Sequence, residues 1–145
     1  MVTESAPNMG QFSVNVELSN FGDIVRAAAG DISANQIRQT TRSGVVDSGA
    51  PRPVIPQATA DELGLLPTGE TTVRYADQRT ARRPMVTGIQ LAYGGRRSVF
   101  DALIEPDRDT ALIGAIVLEA LDLLSDRTRQ AVVPRDPNPI ISEVE

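Results

Sequence analysis

The chain has 145 residues, 41% hydrophobic and 23% charged, the size and balance of one ordinary globular domain over residues 1–145. It contains no His, Cys or Lys, which excludes Ser-His-Asp and Cys-His nucleophiles, Ser-Lys dyads, Schiff bases, phosphate-loop lysines and His/Cys zinc sites. Any chemistry by the chain itself must rest on carboxylates, alone or with an oxygen-bound metal, and a net charge of −5 with 3% aromatic residues argues against nucleic acid as a partner.

Residues 1–10 are expected to form a flexible or intersubunit tail. Phe12, Val14, Val16 and Leu18 then alternate with Ser13, Asn15, Glu17 and Ser19, the period-two pattern of a half-buried strand. Asn20-Phe21-Gly22-Asp23 reads as a turn, Ile24 to Ala29 as a returning strand, and Gly30-Asp31 as the end of that hairpin. Ser33 to Ile37 has room for one helical turn, and Thr40 to Val46 is a strand leading into Asp47. Val54-Ile55 continues as a short strand stopped by Pro56. Gln57 to Leu65 reads as a helix, with Thr59 and Glu62 as a capping box and Gly64 at its end.

Thr71 to Tyr75 and the long stretch Thr80 to Tyr93 are extended, joined by a turn at Ala76-Asp77-Gln78. Gly94-Gly95 signals a hairpin from which Ser98 to Ile104 returns, before a polar loop over Pro106 to Asp109. Ala111-Leu112-Ile113 is an apolar strand running into Gly114, and Ile116, Val117, Ala120 and Leu121 recur at helical spacing, giving a helix from about Ala115 to Leu121. Gln130 to Val133 is a last strand, and residues 136–145 form a second flexible or intersubunit tail. Many short strands, with turns about every eight to twelve residues and one or two short helices, specify an all-β closed barrel or sandwich.

No apolar run reaches the length of a membrane span, and no basic-then-apolar opening marks a secretory signal. With no cysteine to suggest an oxidising compartment, a cytoplasmic protein without membrane partners is expected. Arg82-Arg83 and Arg96-Arg97 sit in strand or hairpin patterns and read as solvated surface. Asp101, Glu105, Asp107 and Asp109 are loosely spaced and lack the glycine and closing glutamate of a calcium loop, so they read as a solvated acidic loop. No metal or other cofactor is expected.

Val45-Val46-Asp47-Ser48-Gly49-Ala50 places an acid, a hydroxyl and a glycine in a turn after a buried strand. Taken alone, Asp-Ser-Gly is an ordinary turn in which Asp47 bonds the backbone two residues on, and the glycine offers positive φ and close approach. In context, the run Ser43 to Ala50, then Val54-Ile55-Pro56, then Glu62-Leu63-Gly64-Leu65, resembles the retropepsin-like aspartic proteases. That family's second motif, apolar residues and a glycine opening a helix, is matched by Ala111-Leu112-Ile113-Gly114-Ala115-Ile116-Val117-Leu118, about 65 residues later. The resemblance spans Thr40 to Pro134.

The resemblance implies a retropepsin-like barrel with Asp47 as the catalytic acid and Ser48, Gly49, Ala50 and Gly114 supporting the active-site turn. Tyr75, Ala76, Asp77 and Gln78 would form a flap over a peptide or protein substrate. Tyr75 packed in the core of an amphipathic edge hairpin is the alternative for that segment. Peptide hydrolysis by carboxylates needs two, one ionised to take the proton of water and one protonated to polarise the carbonyl. Close carboxyls share a proton, as aspartic-protease dyads generally do. With one Asp-Ser-Gly turn per chain, the second Asp47 must come from a homodimer partner.

Two departures bear on that reading. Retroviral enzymes have an acid after the Gly-Ala of the turn and an arginine after the helix-opening glycine, and these pair; here Pro51 and Ala115 stand in those places. The flap tip also lacks the viral glycines. A non-catalytic dimeric scaffold or peptide-binding module is therefore the alternative to an aspartic endopeptidase.

Overall fold

A computed structural model describes residues 11–144; the first tail, residues 1–10, lies outside the described residues. Nine strands form along them. β1 (Phe12–Asn20), β2 (Gln39–Val46), β3 (Val54–Pro56), β4 (Pro67–Arg74), β5 (Thr80–Tyr93), β6 (Arg96–Glu105) and β7 (Ala111–Ile113) share one sheet in the order β1-β2-β7-β3-β6-β5-β4. β1 also pairs with β5, Glu17 to Asn20 lying opposite Ala92 to Ile89, so six strands close into a barrel and β4 hangs outside it. β8 (Leu123–Asp126) and β9 (Ala131–Pro134) make a separate two-stranded ribbon.

Side-chain alternation fills the barrel. Phe100, Ala102 and Ile104 of β6 point inward, beside Val16 and Leu18 of β1, Val46 of β2, and Val86, Ile89 and Leu91 of β5. β5 spends its first half beside β4 and its last beside β1, with a register break between Val86 and Ile89. Gly88, at φ 84°, makes that bend, which a residue with a Cβ adopts only under strain.

Among the described residues, three α-helices decorate the barrel rather than one or two: α1 (Phe21–Ala28), α2 (Gln57–Leu63) and α3 (Ala115–Ala120). α1 replaces the expected turn and returning strand over Asn20 to Ala29. Asn20 caps it, its Oδ1 accepting the Asp23 N–H at 3.0 Å, and Asp23 in the first turn with Arg26 in the last both favour the helix dipole. Gly30 (φ 83°) ends it: its N–H donates to the Ala27 carbonyl and that of Asp31 to the Arg26 carbonyl, the double bond pattern of a glycine-terminated helix. The Ile24-Val25 pair suggested a strand, but the cap, the alanines and the terminal glycine outweigh it.

The single helical turn expected near Ser33 is a 3₁₀ turn over Ala34–Gln36. α2 ends at Gly64 (φ 66°) as expected, but it starts at Gln57 behind Pro56. Thr59 is not its cap; it is buried inside the helix, and Glu62 pairs instead with Arg42. The ribbon strand β8 was not legible, since Leu121 to Asp126 carries no clean alternation. Arg96 is no solvated surface charge either: its side chain is 10% exposed and donates to the carbonyls of Leu121, Asp122, Asp136 and Asn138. These bonds tie the segment after β9 to the end of α3.

The residues before β2 complete the barrel and anchor it through an ion pair between the buried Asp23 and Arg38, whose side chain stays half exposed. Asp23, 3% exposed, accepts from Arg38 Nε at 2.8 Å, Arg38 Nη2 at 3.0 Å and the Arg38 backbone N–H at 3.0 Å. Asn20 donates to the Leu63 carbonyl at 2.8 Å, so α1, β2 and α2 meet at one polar joint. The Arg38 guanidinium lies across Gly64, where a Cβ would fall 1.8 Å from its Nη1. The hydrogen bonds from Arg38, against the cost of burial, hold the Asp23 carboxyl down to about 2.

A carboxyl lowered on folding stabilises the fold above its unfolded value of 3.8, and that contribution is lost as pH falls toward 2. It amounts to about 2 kcal/mol. Asp23→Ala removes these bonds but leaves the half-exposed Arg38 open to water, and is expected to cost about 2 kcal/mol at pH 7. Urea unfolding of both proteins from pH 7 to pH 2 checks this; equal slopes of stability with pH below 4 would refute it.

Candidate active site

β2 runs parallel to β7, with Val46 opposite Ile113, and β3 returns antiparallel on the other side of β7, Val54 opposite Leu112. The turn between β2 and β3 therefore straddles the end of β7. The Asp47 N–H donates to the Ile113 carbonyl at 3.0 Å, and the Ala50 N–H donates to the Asp47 carbonyl at 3.1 Å, closing the turn.

Gly114 lets the turn sit down on α3. A Cβ there would lie 2.6 Å from the Ala50 carbonyl oxygen and 2.8 Å from that of Arg52. In that space the Ala115 N–H donates to Ala50 O at 2.7 Å and the Ile116 N–H to Pro51 O at 3.1 Å. The first N–H groups of a helix lack partners within it, and here the turn supplies them. The close approach expected of the turn glycine thus occurs at Gly114. Gly49 does not take positive φ; its N–H donates to Asp47 Oδ1 at 3.0 Å.

The second carboxylate oxygen, Asp47 Oδ2, accepts from Gln11 Nε2 at 2.9 Å. Each carboxylate oxygen has room for two hydrogen bonds, so these two donors fix the group's orientation and leave capacity for water. Asp47 is half-buried, and Ser48 and Gly49 are exposed. The Ser48 Oγ accepts from Arg127 Nη2 at 3.2 Å, an arginine in the turn between β8 and β9. Neither Gln11 nor Arg127 was legible in the sequence. Each is a single polar residue far along the chain from Asp47, outside any motif.

Beside the turn lies a cleft of about 630 Å³, bounded by Ala50 and Pro51 on one side and by Thr71 to Tyr75 of the β4–β5 hairpin on the other. Ala50 and Tyr75 thus meet at one cavity, whereas Asp47, Ala76, Asp77 and Gln78 do not line it. The hairpin turn is closed by Gln78 N–H to Tyr75 O and by Tyr75 N–H to Arg79 O, both 2.9 Å, with Gln78 at φ 71°. Holding a glutamine there costs about 1 kcal/mol or more.

Tyr75 is half-buried on the cleft wall. Its hydroxyl donates to Glu105 Oε2, while Glu105 Oε1 accepts Arg83 Nε at 2.7 Å. The Arg79 guanidinium lies 4.9 Å from the centre of its ring. The bond to Glu105, then burial, pushes the Tyr75 phenol above its ordinary value. Glu105 is thereby committed to the cleft wall, and among the described residues no three carboxylates gather into a metal site.

Gly114→Ala is expected to lower stability by about 3 kcal/mol, because both facing atoms are backbone oxygens that cannot swing away. Gly49→Ala, whose Cβ would meet only Asp47 Oδ1 at 3.2 Å, should cost under about 1 kcal/mol. Thermal and urea unfolding of the two variants compares them; equal losses would show that the turn does not rest on residue 114 as described.

A family model of aspartyl proteases matches residues 31–117, more than half of the chain, from just before the 3₁₀ turn into α3. The matched span holds both the Asp47 turn and Gly114 and leaves β1, α1 and the β8–β9 ribbon outside. A search of curated proteins found no match. Among the described residues, no helix is long and apolar enough to cross a membrane. The matched span, with the turn and the helix-opening glycine packed as they are, places the chain in the retropepsin-like aspartyl protease family.

Proposed function

We propose that the protein is an aspartic endopeptidase in which a homodimer brings two Asp47 carboxylates to one water. The observation that carries this reading is the Asp47 carboxylate itself, oriented by one donor on each oxygen and seated on the Gly114 turn beside a flap-bounded cleft. In the reaction, the ionised carboxylate takes a proton from water as its oxygen attacks the peptide carbonyl. The partner's protonated carboxyl donates to the carbonyl oxygen. Collapse of the tetrahedral intermediate breaks the C–N bond: the proton held by the first carboxylate passes to the leaving amine, and a gem-diol hydroxyl returns its proton to the partner's carboxylate.

Ser48 supports the dimer in this reading. Its oxygen accepts from Arg127 within the chain, so its own proton is free to donate across the two-fold axis. Arg127 would then steady the turn that Pro51 and Ala115 leave without the viral acid–arginine brace. An extended peptide in the cleft would pair with backbone groups of the turn and the hairpin.

Asp47→Asn is expected to reduce peptide cleavage by about 10³-fold or more. Because both carboxylates come from the same position, mixing wild-type and Asp47→Asn subunits should make activity fall with the square of the wild-type fraction. A linear fall, or a chain that sediments as a monomer at high concentration, would remove the two-subunit mechanism. Peptide binding without cleavage across a wide pH range would assign the protein instead as a non-catalytic peptide-binding module.

A further inference from the structure

We propose that the cleft selects peptide segments carrying Asp or Glu side chains beside the bond to be cut, a substrate class that rests on the peptidase reading above. The protein is acidic, with 19 Asp and Glu against 14 Arg, yet five of those arginines line this cleft: Arg52, Arg74, Arg79, Arg83 and Arg108. Two carboxylates, Glu105 and Asp107, line it with them.

The local partners leave a positive excess. Glu105 is taken by Arg83 and by the Tyr75 hydroxyl, and Arg79 is matched by Asp77 in the exposed hairpin turn. Arg108 donates to the neutral carbonyl of Thr110 at 2.9 Å and to the Thr110 hydroxyl at 3.2 Å. Arg52 and Arg74 are exposed and make no ion pair among the described residues. Three cations therefore face one carboxylate, Asp107.

The placement of the two unpaired arginines matters as much as their number. Arg52 extends the Asp47–Ala50 turn, and Arg74 ends β4 on the hairpin side, so an extended peptide between turn and hairpin would have a guanidinium on each flank. A guanidinium fork matches a carboxylate with two parallel hydrogen bonds. Low-dielectric cleft walls such as Val54, Leu103 and Leu112 strengthen that field for acidic segments, and the same charges oppose lysine and arginine.

The test digests a complex peptide library with the full-length protein and reads the cut bonds by mass spectrometry. Asp and Glu should be enriched, and Lys and Arg depleted, in the residues flanking the cut. For a preferred substrate and its Asn/Gln counterpart, kcat/KM should favour the acidic peptide about tenfold at low salt. That ratio should shrink toward one in the Arg52→Gln/Arg74→Gln double variant and as ionic strength rises. No acidic enrichment, or a ratio indifferent to the double variant, overturns the proposal. If no peptide is cut, the peptidase reading fails separately. Fluorescence anisotropy with an acid-rich peptide and its amide counterpart then decides: tighter binding of the acidic one upholds the charge selection, and equal binding overturns it.

Discussion

The carbonyls of Ala50 and Pro51 accept the N–H groups of Ala115 and Ile116 only because residue 114 has no side chain. The placement of the site depends on that contact. It joins a turn to the start of a helix 64 residues downstream, and it fixes β7 between β2 and β3 at the level where Asp47 leaves the sheet. The helix donors would otherwise need water or a capping side chain, and the turn carbonyls would otherwise face solvent. Each side satisfies the other, so the position of the Asp47 carboxylate is set by backbone, which has little freedom to drift. The Gly49 backbone N–H and the Gln11 side-chain Nε2 then have only the Asp47 rotamer left to settle.

A second polar joint, at Asp23 and Arg38, holds the other end of β2. Burying a carboxylate is costly unless its hydrogen bonds are met, and here Asp23 receives three from the half-exposed Arg38. Gly64 serves twice: its left-handed φ ends α2, and its missing side chain leaves the path for the Arg38 guanidinium. β2 is thus pinned at Arg38 near its start and at Asp47 at its end, with β1 along one edge and β7 along the other. The segment before β2 lies mostly outside the span matched by the family model, yet it contributes the strand that closes the barrel.

The barrel was legible wherever one physical signal decided the local structure. Alternation marked β1, the double glycine marked the β5–β6 turn, and Leu112-Ile113-Gly114 marked the strand and the glycine on which the turn packs. It failed where two signals competed. Ile24 and Val25 favour extended backbone, but Asn20, the alanines and Gly30 make a helix with both ends satisfied, and termination outweighed propensity. Thr59 and Glu62 have the spacing of a capping box, but Pro56 starts the helix earlier and the barrel buries Thr59. The site was legible only in its backbone-bound part. Gln11, Arg127 and the Arg83–Glu105–Tyr75 cluster are long-range side-chain contacts, and a spacing rule cannot find partners that only the closed barrel brings together.

The distribution of arginine links stability to recognition. In a chain without lysine, every cation is a planar fork suited to multiple bonds, and several are spent on structure: Arg38 on Asp23, Arg96 on four carbonyls, Arg83 on Glu105. Arg83 and Glu105 lie on the cleft wall, so the same pair that holds Tyr75 also neutralises the acid that would repel an acidic ligand. With Glu105 masked, Arg52, Arg74 and Arg108 face only the Asp107 carboxylate in the cleft lining. Under the proposed dimer, each subunit would bring one such cleft beside the turn that carries its Asp47. Positive charge lining both arms would then offset the negative charge concentrated at the paired Asp47 groups. A substrate acid in either arm would be drawn to the guanidinia at the flanks, leaving the water between the two carboxylates undisturbed.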